Sequence, residues 1–376
     1  MVNLYIKTNK GLNNMKRMIY HIPYYVDKNR HSGSHIRPFK MLDAFKKIGY
    51  DVDVIMGYAA QREEAIDKIK DNILNGVIYD FCYSESSTMP TLLTEKNHLP
   101  THPFLDFGFF KFLKNHGVKI GLFYRDTHWL FEQYKNTVSK PKQLISTFFY
   151  KYDLKKYKKY IDIIYMPDKK MNDYLPISLG SNIQNLPPAL DEEKIYNYSP
   201  KNEFLNIFYV GGLGDLYNLE LFFKVIFDLD FIHFTLCTRE SEWNNQKEIY
   251  KKYMTDRINV INGGPGEYDV FLEESDIALL FAEPKKYWNF AIPVKLFEYI
   301  KFKKPIISVK KTATSRIIEK YKIGFTVDYN EDLLKDKLIH IYKNKNKLTD
   351  LIPNFNMALE ENTWEARARK VAKDLS

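Results

Sequence analysis

The chain has 376 residues, 45% hydrophobic, 27% charged and 15% aromatic, with 16 glycines and 16 prolines, which at ~150 residues per domain describes two or three folded domains and excludes disordered, collagen-like and small disulfide-stapled classes. A net charge of +9 favours anionic partners such as nucleotide sugars or anionic lipid headgroups, and with no zinc-finger, basic-zipper or RNA-recognition signature no nucleic acid is expected. No apolar run approaches the ~20 residues of a bilayer span, the start MVNLYIKTNKGLNNMKRM lacks a secretory signal pattern, and Cys82 and Cys237 stand far apart in apolar runs; the expectation is a cytoplasmic chain, at most peripheral to the inner face of the cell membrane, without disulfide or cysteine metal site.

Residues 1–14 read as a polar tail. From residue 15 onward, short β-branched or aromatic runs alternate with longer stretches of helical period, the signature of parallel βαβ units. Strands are predicted at 17–22, 51–56, 76–83, 119–123 and 161–166, and helices at 36–48, 62–74, 104–116 and 141–160. The end of the last helix, YKYDLKKYKKY (150–160), interleaves Lys with Tyr and suits either an anionic membrane surface or a solvated face. Then comes NLPPALDEEKIYNYS (185–199), whose Pro187–Pro188 is stiff and cannot continue a central strand. The boundary therefore falls between an N-terminal domain, 15–188, and a C-terminal domain, 189–354. In the second domain strands are predicted at 206–210, 232–237, 258–261, 277–281, 305–309 and 324–327, and helices at 219–229, 240–254, 267–274, 293–302, 314–321 and 331–343. The segment 355–376 follows a completed sheet and carries a helix at 362–375 with Trp364 and Val371 on its apolar side, so it needs a surface to cover. The predicted class is α/β, with two Rossmann-like doubly wound domains.

Ligands of doubly wound sheets bind beyond the carboxyl ends of the strands, so the loops there carry the functional signal. RHSGSHIR (30–37) offers Gly33 and Ser34 at the start of a helix, an anion site or an ordinary turn. GGLG (211–214) leads directly from a strand, and Gly211, Gly212 and Gly214 leave amides unshielded for a pyrophosphate, although the spacing is not that of the dinucleotide fingerprint. In YWNFAIPVKLFEYIKFKKPIIS (287–308), Pro293 opens a helix on which Lys295 and Glu298 are three apart and share a face. A lysine there can neutralise a diphosphate while the glutamate accepts hydrogen bonds from ribose hydroxyls; a surface ion pair has the same spacing.

PVKLFEYIKFKKPII resembles the donor-binding element of GT-B glycosyltransferases, close to the large retaining family 4, with its pattern Pro-x-Lys-x-x-Glu-(Tyr/Ala)-x-x-x-x-x-Pro-(Ile/Val)-Ile. SGSHIRPFKMLDAFKKIGYDVDVI is similar to the family's opening loop, FYRDTHWLF to its His-Asp segment, IQNLPPALD to its linker, FYVGGLGD to its donor loop, and TWEARARKVAKDL to its last helix. The resemblance implies two domains facing across a cleft and a C-terminal helix crossing back to the first. It further implies transfer of a sugar from a nucleotide-diphosphate donor, a UDP-sugar, to a hydroxyl of a glycan or lipid-linked acceptor, as in surface polysaccharide or glycoconjugate assembly. Lys295 is then expected at the donor phosphate and Glu298 at its ribose, with Gly211, Gly212, Gly214, Arg239 and Asn289 around the donor. Gly33 and Ser34 fall to phosphate or acceptor, and Arg125, Asp126 and His128 to the catalytic side. No cofactor or metal is expected, since lysine can replace one. Two positions depart from the pattern: Phe290 stands where many members carry a sugar-contacting Glu, and Arg125 where the family has His. The first departure motivates a competing reading as a non-catalytic accessory subunit; a sugar-nucleotide epimerase of like architecture is the other.

Overall fold

The structure, a computed structural model, describes residues 16–29, 33–190 and 203–376. The predicted tail, the first residues of the 30–37 loop and most of the 185–199 linker lie outside these. β1 (Arg17–Ile22), β2 (Asp51–Met56), β3 (Phe81–Glu85), β4 (Ile120–Phe123), β5 (Ile163–Met166) and β6 (Ile183–Asn185) form one parallel sheet, in the order β2-β1-β3-β4-β5-β6. α1 (Gly33–Lys47), α2 (Ala59–Leu74), α3 (Leu105–Asn115), α4 (Glu132–Thr137) and α5 (Lys140–Tyr160) connect its strands. The second sheet repeats the plan with β7 (Leu205–Val210), β8 (Ile232–Cys237), β9 (Ile258–Ile261), β10 (Ile277–Leu280), β11 (Ile306–Val309) and β12 (Gly324–Val327), ordered β12-β11-β10-β7-β8-β9 and all parallel. Its helices are α6 (Glu220–Phe227), α7 (Glu240–Tyr250), α8 (Asp269–Glu274), α9 (Lys295–Lys301), α10 (Ala313–Tyr321), α11 (Glu331–Lys343) and α12 (Ile352–Glu361). α13 (Trp364–Leu375) ends the chain.

Helices on both faces explain why the central strands read as unbroken apolar runs: RMIYHI of β1 is buried from its second residue onward, and IIYM of β5 throughout. Tyr20, Phe45, Phe81 and Tyr83 fill one face of the first sheet, and Phe107, Phe110, Leu154 and Tyr157 the other. Both cysteines are buried and unpaired, and burial pushes the Cys237 thiol up to about 11.

Two expectations are corrected and one is refined. β3 starts at Phe81 and not at residue 76, because the Val77 amide donates back to the Asn72 carbonyl and residues 75–80 turn the chain out of α2. In the 150–160 run Lys151, Lys155, Lys158 and Lys159 form a solvated face, whereas Tyr150, Tyr157 and Tyr160 are buried beneath α5 and Tyr152 is half-buried. The segment 355–376 is not one crossover helix. Its first part belongs to α12, which packs on α9 and α10 of the second domain, and only α13 crosses to the first, against α1, β3 and β4.

α13 covers the surface its pattern demanded. Trp364, Ala368, Val371 and Leu375 join the cluster of Tyr20, Phe81 and Tyr83. Leu375 comes so close to β4 that a Cβ on Gly121 would lie 2.8 Å from its Cδ1, so a larger residue there would have to displace the Leu375 side chain and the Tyr165 ring. Thr363 caps the helix by accepting from the Ala366 amide at 3.0 Å. Arg367, buried, donates to the carbonyls of Pro187, Pro188 and Glu361 and so ties the returning chain to the outgoing one.

Candidate active site

In the second sheet the chain steps outward through β7, β8 and β9 and then lays β10 on the other side of β7. Loops leaving the carboxyl ends of β7 and β10 therefore diverge and open a crevice. The loop after β7 is Gly211–Gly214, and α9, reached after β10, carries Lys295 and Glu298. The first sheet reverses in the same way between β1 and β3. Its loops face the crevice across a cleft of about 800 Å³, with Gly33, Ser34, Arg37, Arg125 and Asp126 on that wall. Opposite them lie Gly211, Gly212, Thr238, Arg239, Glu242, Lys295 and Glu298.

Lys295 and Glu298 both line the cleft, and neither is paired with the other. The Lys295 Nζ donates to the Tyr209 hydroxyl at 2.9 Å and sits over the rings of Tyr209 and Tyr217, 4.1 and 4.4 Å from their centroids. Enclosure of the ammonium lowers its pKa to about 7, against smaller upward pulls from Glu298 and Glu242. Glu298 Oε2 accepts from the Tyr268 hydroxyl at 3.0 Å, and burial raises its pKa. Gly211 has φ +153°, and any Cβ there would run into Lys295 Nζ, so the glycine is what lets the ammonium approach the loop.

The loop is less open than its composition implies. The Gly211 amide donates to the Cys237 carbonyl at 3.0 Å, and the Leu213 amide to Glu242 Oε2 at 3.0 Å. Gly214 turns away from the cleft and accepts from the Tyr217 amide. Positive charge for an anion thus comes from Lys295 more than from this loop.

On the first domain's wall, Asp126 follows β4. Its Oδ1 accepts from the Thr127 amide at 2.7 Å and from the Tyr287 hydroxyl, which reaches across from the second domain, at 3.3 Å. Burial raises its pKa. His128 stands behind it on a 3-10 turn, off the cleft wall, with a buried Nδ1 that lacks a hydrogen bond and lies 3.7 Å from Asp126 Oδ2; burial lowers its pKa against the pull of that carboxylate. Arg125 is occupied: it donates to Glu85 at 2.8 Å, to the Tyr24 hydroxyl at 3.0 Å, and to the Ser86 and Gly33 carbonyls at 3.2 Å. It holds the start of α1 in place, where Gly33 and Ser34 meet the cleft. Arg239 lies on the rim, 82% exposed and paired with Glu242.

Asn289 is not on the cleft wall. Its Nδ2 donates to the Tyr174 hydroxyl at 2.6 Å, and its carbonyl accepts from Arg316, which also pairs with Asp168 of the first domain. Phe290 beside it enters the first domain's core, ring to ring with Phe131 and Tyr174. Residues 287–290 therefore clasp the two domains together. Sequence reasoning passed over Glu242, Tyr217, Tyr287 and the cleft-lining Gly263 and Gly264. Only the last had a signal, a glycine pair directly after a predicted strand. Two Asp-x-Asp triplets lie away from the cleft: Asp51 and Asp53 pair with Arg17, and Asp228 faces Lys335. Among the described residues no three His, Cys, Asp or Glu side chains gather where a metal ion would sit.

No family model matches the sequence, and no curated protein matches it. Solved structures do match over nearly the whole chain. Sucrose-phosphate synthase from Thermosynechococcus elongatus has 12% identity and a TM-score of 0.62, covering 95% of this chain and 98% of its own. HepE from Anabaena, solved in complex with UDP, has 9% identity and a TM-score of 0.63, covering 96% and 99%. A glycosyltransferase from Rickettsia africae has 11% identity and a TM-score of 0.61, covering 96% and 98%. At such identities the likeness establishes the fold, and the chain has the GT-B architecture.

Proposed function

We propose that the chain transfers a sugar from a nucleoside-diphosphate donor, a UDP-sugar, to a hydroxyl of a glycan or lipid-linked acceptor. The observation that carries this reading is the pair on the first turn of α9: Lys295 and Glu298 line the same cleft at the switch point of the second sheet, and each is held by tyrosines and not by its neighbour. An amine and a carboxylate one helical turn apart suit the phosphate and ribose ends of a nucleoside diphosphate. The structural neighbour HepE was solved with UDP and with UDP-glucose, which supports the same donor class.

As the glycosidic bond breaks, negative charge grows on the leaving diphosphate. A cation fixed beside it lowers that barrier, and Lys295 serves this role without need of a metal. Glu298, whose pKa burial raises, accepts from the ribose hydroxyls in its carboxylate form. Asp126 is the carboxyl of the acceptor wall: it takes the acceptor proton if the product is inverted, or orients the transferred sugar if it is retained. His128 acts through Asp126, as a positioning residue. Phe290, turned into the first domain's core, gives the sugar no carboxylate, so Asp126 supplies the carboxylate on that side, with the Tyr287 hydroxyl beside it.

Calorimetric titration with UDP and GDP, and with their glucose conjugates, tests the donor assignment. Lys295→Ala and Glu298→Ala should each weaken binding about tenfold or more. Unchanged affinity in both variants refutes the assignment. Donor binding without UDP release in the presence of an acceptor extract would favour the accessory-subunit reading, which the departure at Phe290 motivates; conversion of the donor without any acceptor would favour an epimerase.

A further inference from the structure

α5 carries seven lysines and a single acid, Asp153, which is buried. Along its solvent side, Lys140, Leu144, Phe148, Lys151, Lys155 and Lys158 follow one another at steps of four, four, three, four and three, which places them on one stripe. Leu144 is 74% exposed, Phe148 64%, and Ile145 beside them 55%. Large apolar side chains that exposed on a single helix end are unusual for a surface facing only water. Among the described residues no ion pair engages any lysine of α5. The helix thus presents an apolar tip continuous with an uncompensated basic stem.

We propose that this stripe docks the chain on an anionic bilayer, with Leu144, Ile145 and Phe148 entering the headgroup boundary and Lys151, Lys155 and Lys158 meeting lipid phosphates. Charge selects this occupant: two copies of the stripe repel each other, and a zwitterionic surface leaves the lysines without counter-charge. Among the described residues no helix is long and apolar enough to cross a membrane, so the contact is peripheral. The basic part of the stripe lies in the 150–160 run read from the sequence, whereas Tyr150, Tyr157 and Tyr160 are buried and the apolar contact lies one to two turns earlier. Docking has a consequence that rests on the transferase reading. The His128 ring touches Tyr150 of α5, six residues or about 9 Å along the helix from Leu144, so an acceptor anchored in that bilayer is presented at the Asp126 wall.

Vesicle co-sedimentation of the full chain, without donor, tests the docking. Wild type should bind vesicles of phosphatidylcholine with phosphatidylglycerol, less as salt rises, and bind pure phosphatidylcholine weakly. Leu144→Ser with Phe148→Ser should cut binding at least about tenfold, and Lys151→Gln with Lys155→Gln by about fivefold per lysine. Melting temperature and UDP affinity should stay at wild-type values, because every altered side chain is exposed and outside the cleft. Wild type that ignores anionic vesicles at low salt overturns the proposal. So does binding that both pairs of substitutions leave intact, or self-association lost with the stripe in place of vesicle binding. UDP binding is read separately, so failure of the docking leaves the donor assignment standing, and the reverse.

Discussion

Donor binding should take up a proton, and Lys295 is the group that receives it. Its ammonium is enclosed by Tyr209 and Tyr217 and its pKa falls from 10.5 to about 7, a swing of about 5 kcal/mol against the charged form. A diphosphate beside Nζ raises the pKa again, so the donor-bound value exceeds the free one. The sign follows: donor affinity is full below the free pKa and lost as pH rises above it, by about tenfold per unit, until the bound pKa is reached. A nucleotide sugar is the ligand of choice, because its diphosphate does not titrate near neutrality. Titration calorimetry at ~pH 6.5 to ~9, in buffers of different ionisation enthalpy, should show uptake rising toward about one proton as affinity falls. Lys295→Met should be weak and flat across the range. A nucleotide sugar bound tightly by wild type with no proton uptake and no pH slope would refute the reasoning, since the amine would then be charged beforehand or distant from the phosphates.

Three further outcomes follow from named contacts. Gly211→Ala places a methyl against Lys295 Nζ at a φ that L-residues avoid, and should weaken donor binding about tenfold by calorimetry; wild-type affinity would mean that the ammonium does not sit at this loop. Phe290→Ala removes the ring that the second domain lends to the first domain's core and should cost about 3–5 kcal/mol of stability in denaturant melts, with a larger radius of gyration by X-ray scattering. An unchanged melt and radius would show that the clasp holds nothing. Ser84, His21 and Asp106 have the hydrogen-bond order of a hydrolase triad, 2.8 and 3.0 Å apart, yet all are at most 1% exposed. Ser84→Ala should therefore cost about 1–3 kcal/mol of stability and leave transfer intact; lost turnover in a protein of wild-type stability contradicts a purely structural role.

Central strand positions were legible because parallel strands covered on both faces are apolar throughout; β4, β10 and β11 fall within one residue of where the pattern puts them. β6 escaped because three residues, IQN, half-buried at a sheet edge carry no such pattern. α12 escaped because Pro353 reads as a break, although a first-turn proline suits a helix. Lys295 and Glu298 were legible because a helix fixes which side chains share a face. Asn289 was misread for the complementary reason: residues 286–289 form a short 3-10 turn, whose side-chain directions depend on what packs around it. Glu242 and Tyr287 reach the cleft only through the tertiary arrangement, and nothing local marks them.

One segment, 287–298, touches both halves of the reaction. Its start holds the first domain, through Tyr287 on Asp126, Asn289 on Tyr174 and Phe290 in the core; its end carries the donor pair. Asp126 has a raised pKa because the closed arrangement excludes water from it. If the domains part, water enters and that pKa drops toward an ordinary carboxylate, a weaker base, because burial is the largest cause of the shift and outweighs the opposing loss of the Tyr287 hydrogen bond. The same separation pulls the segment that carries Lys295 away from the acceptor wall. On the proposed transferase reading, the donor pair and the Asp126 wall then act together only when the clasp is shut, which would protect a bound nucleotide sugar from hydrolysis in the open cleft.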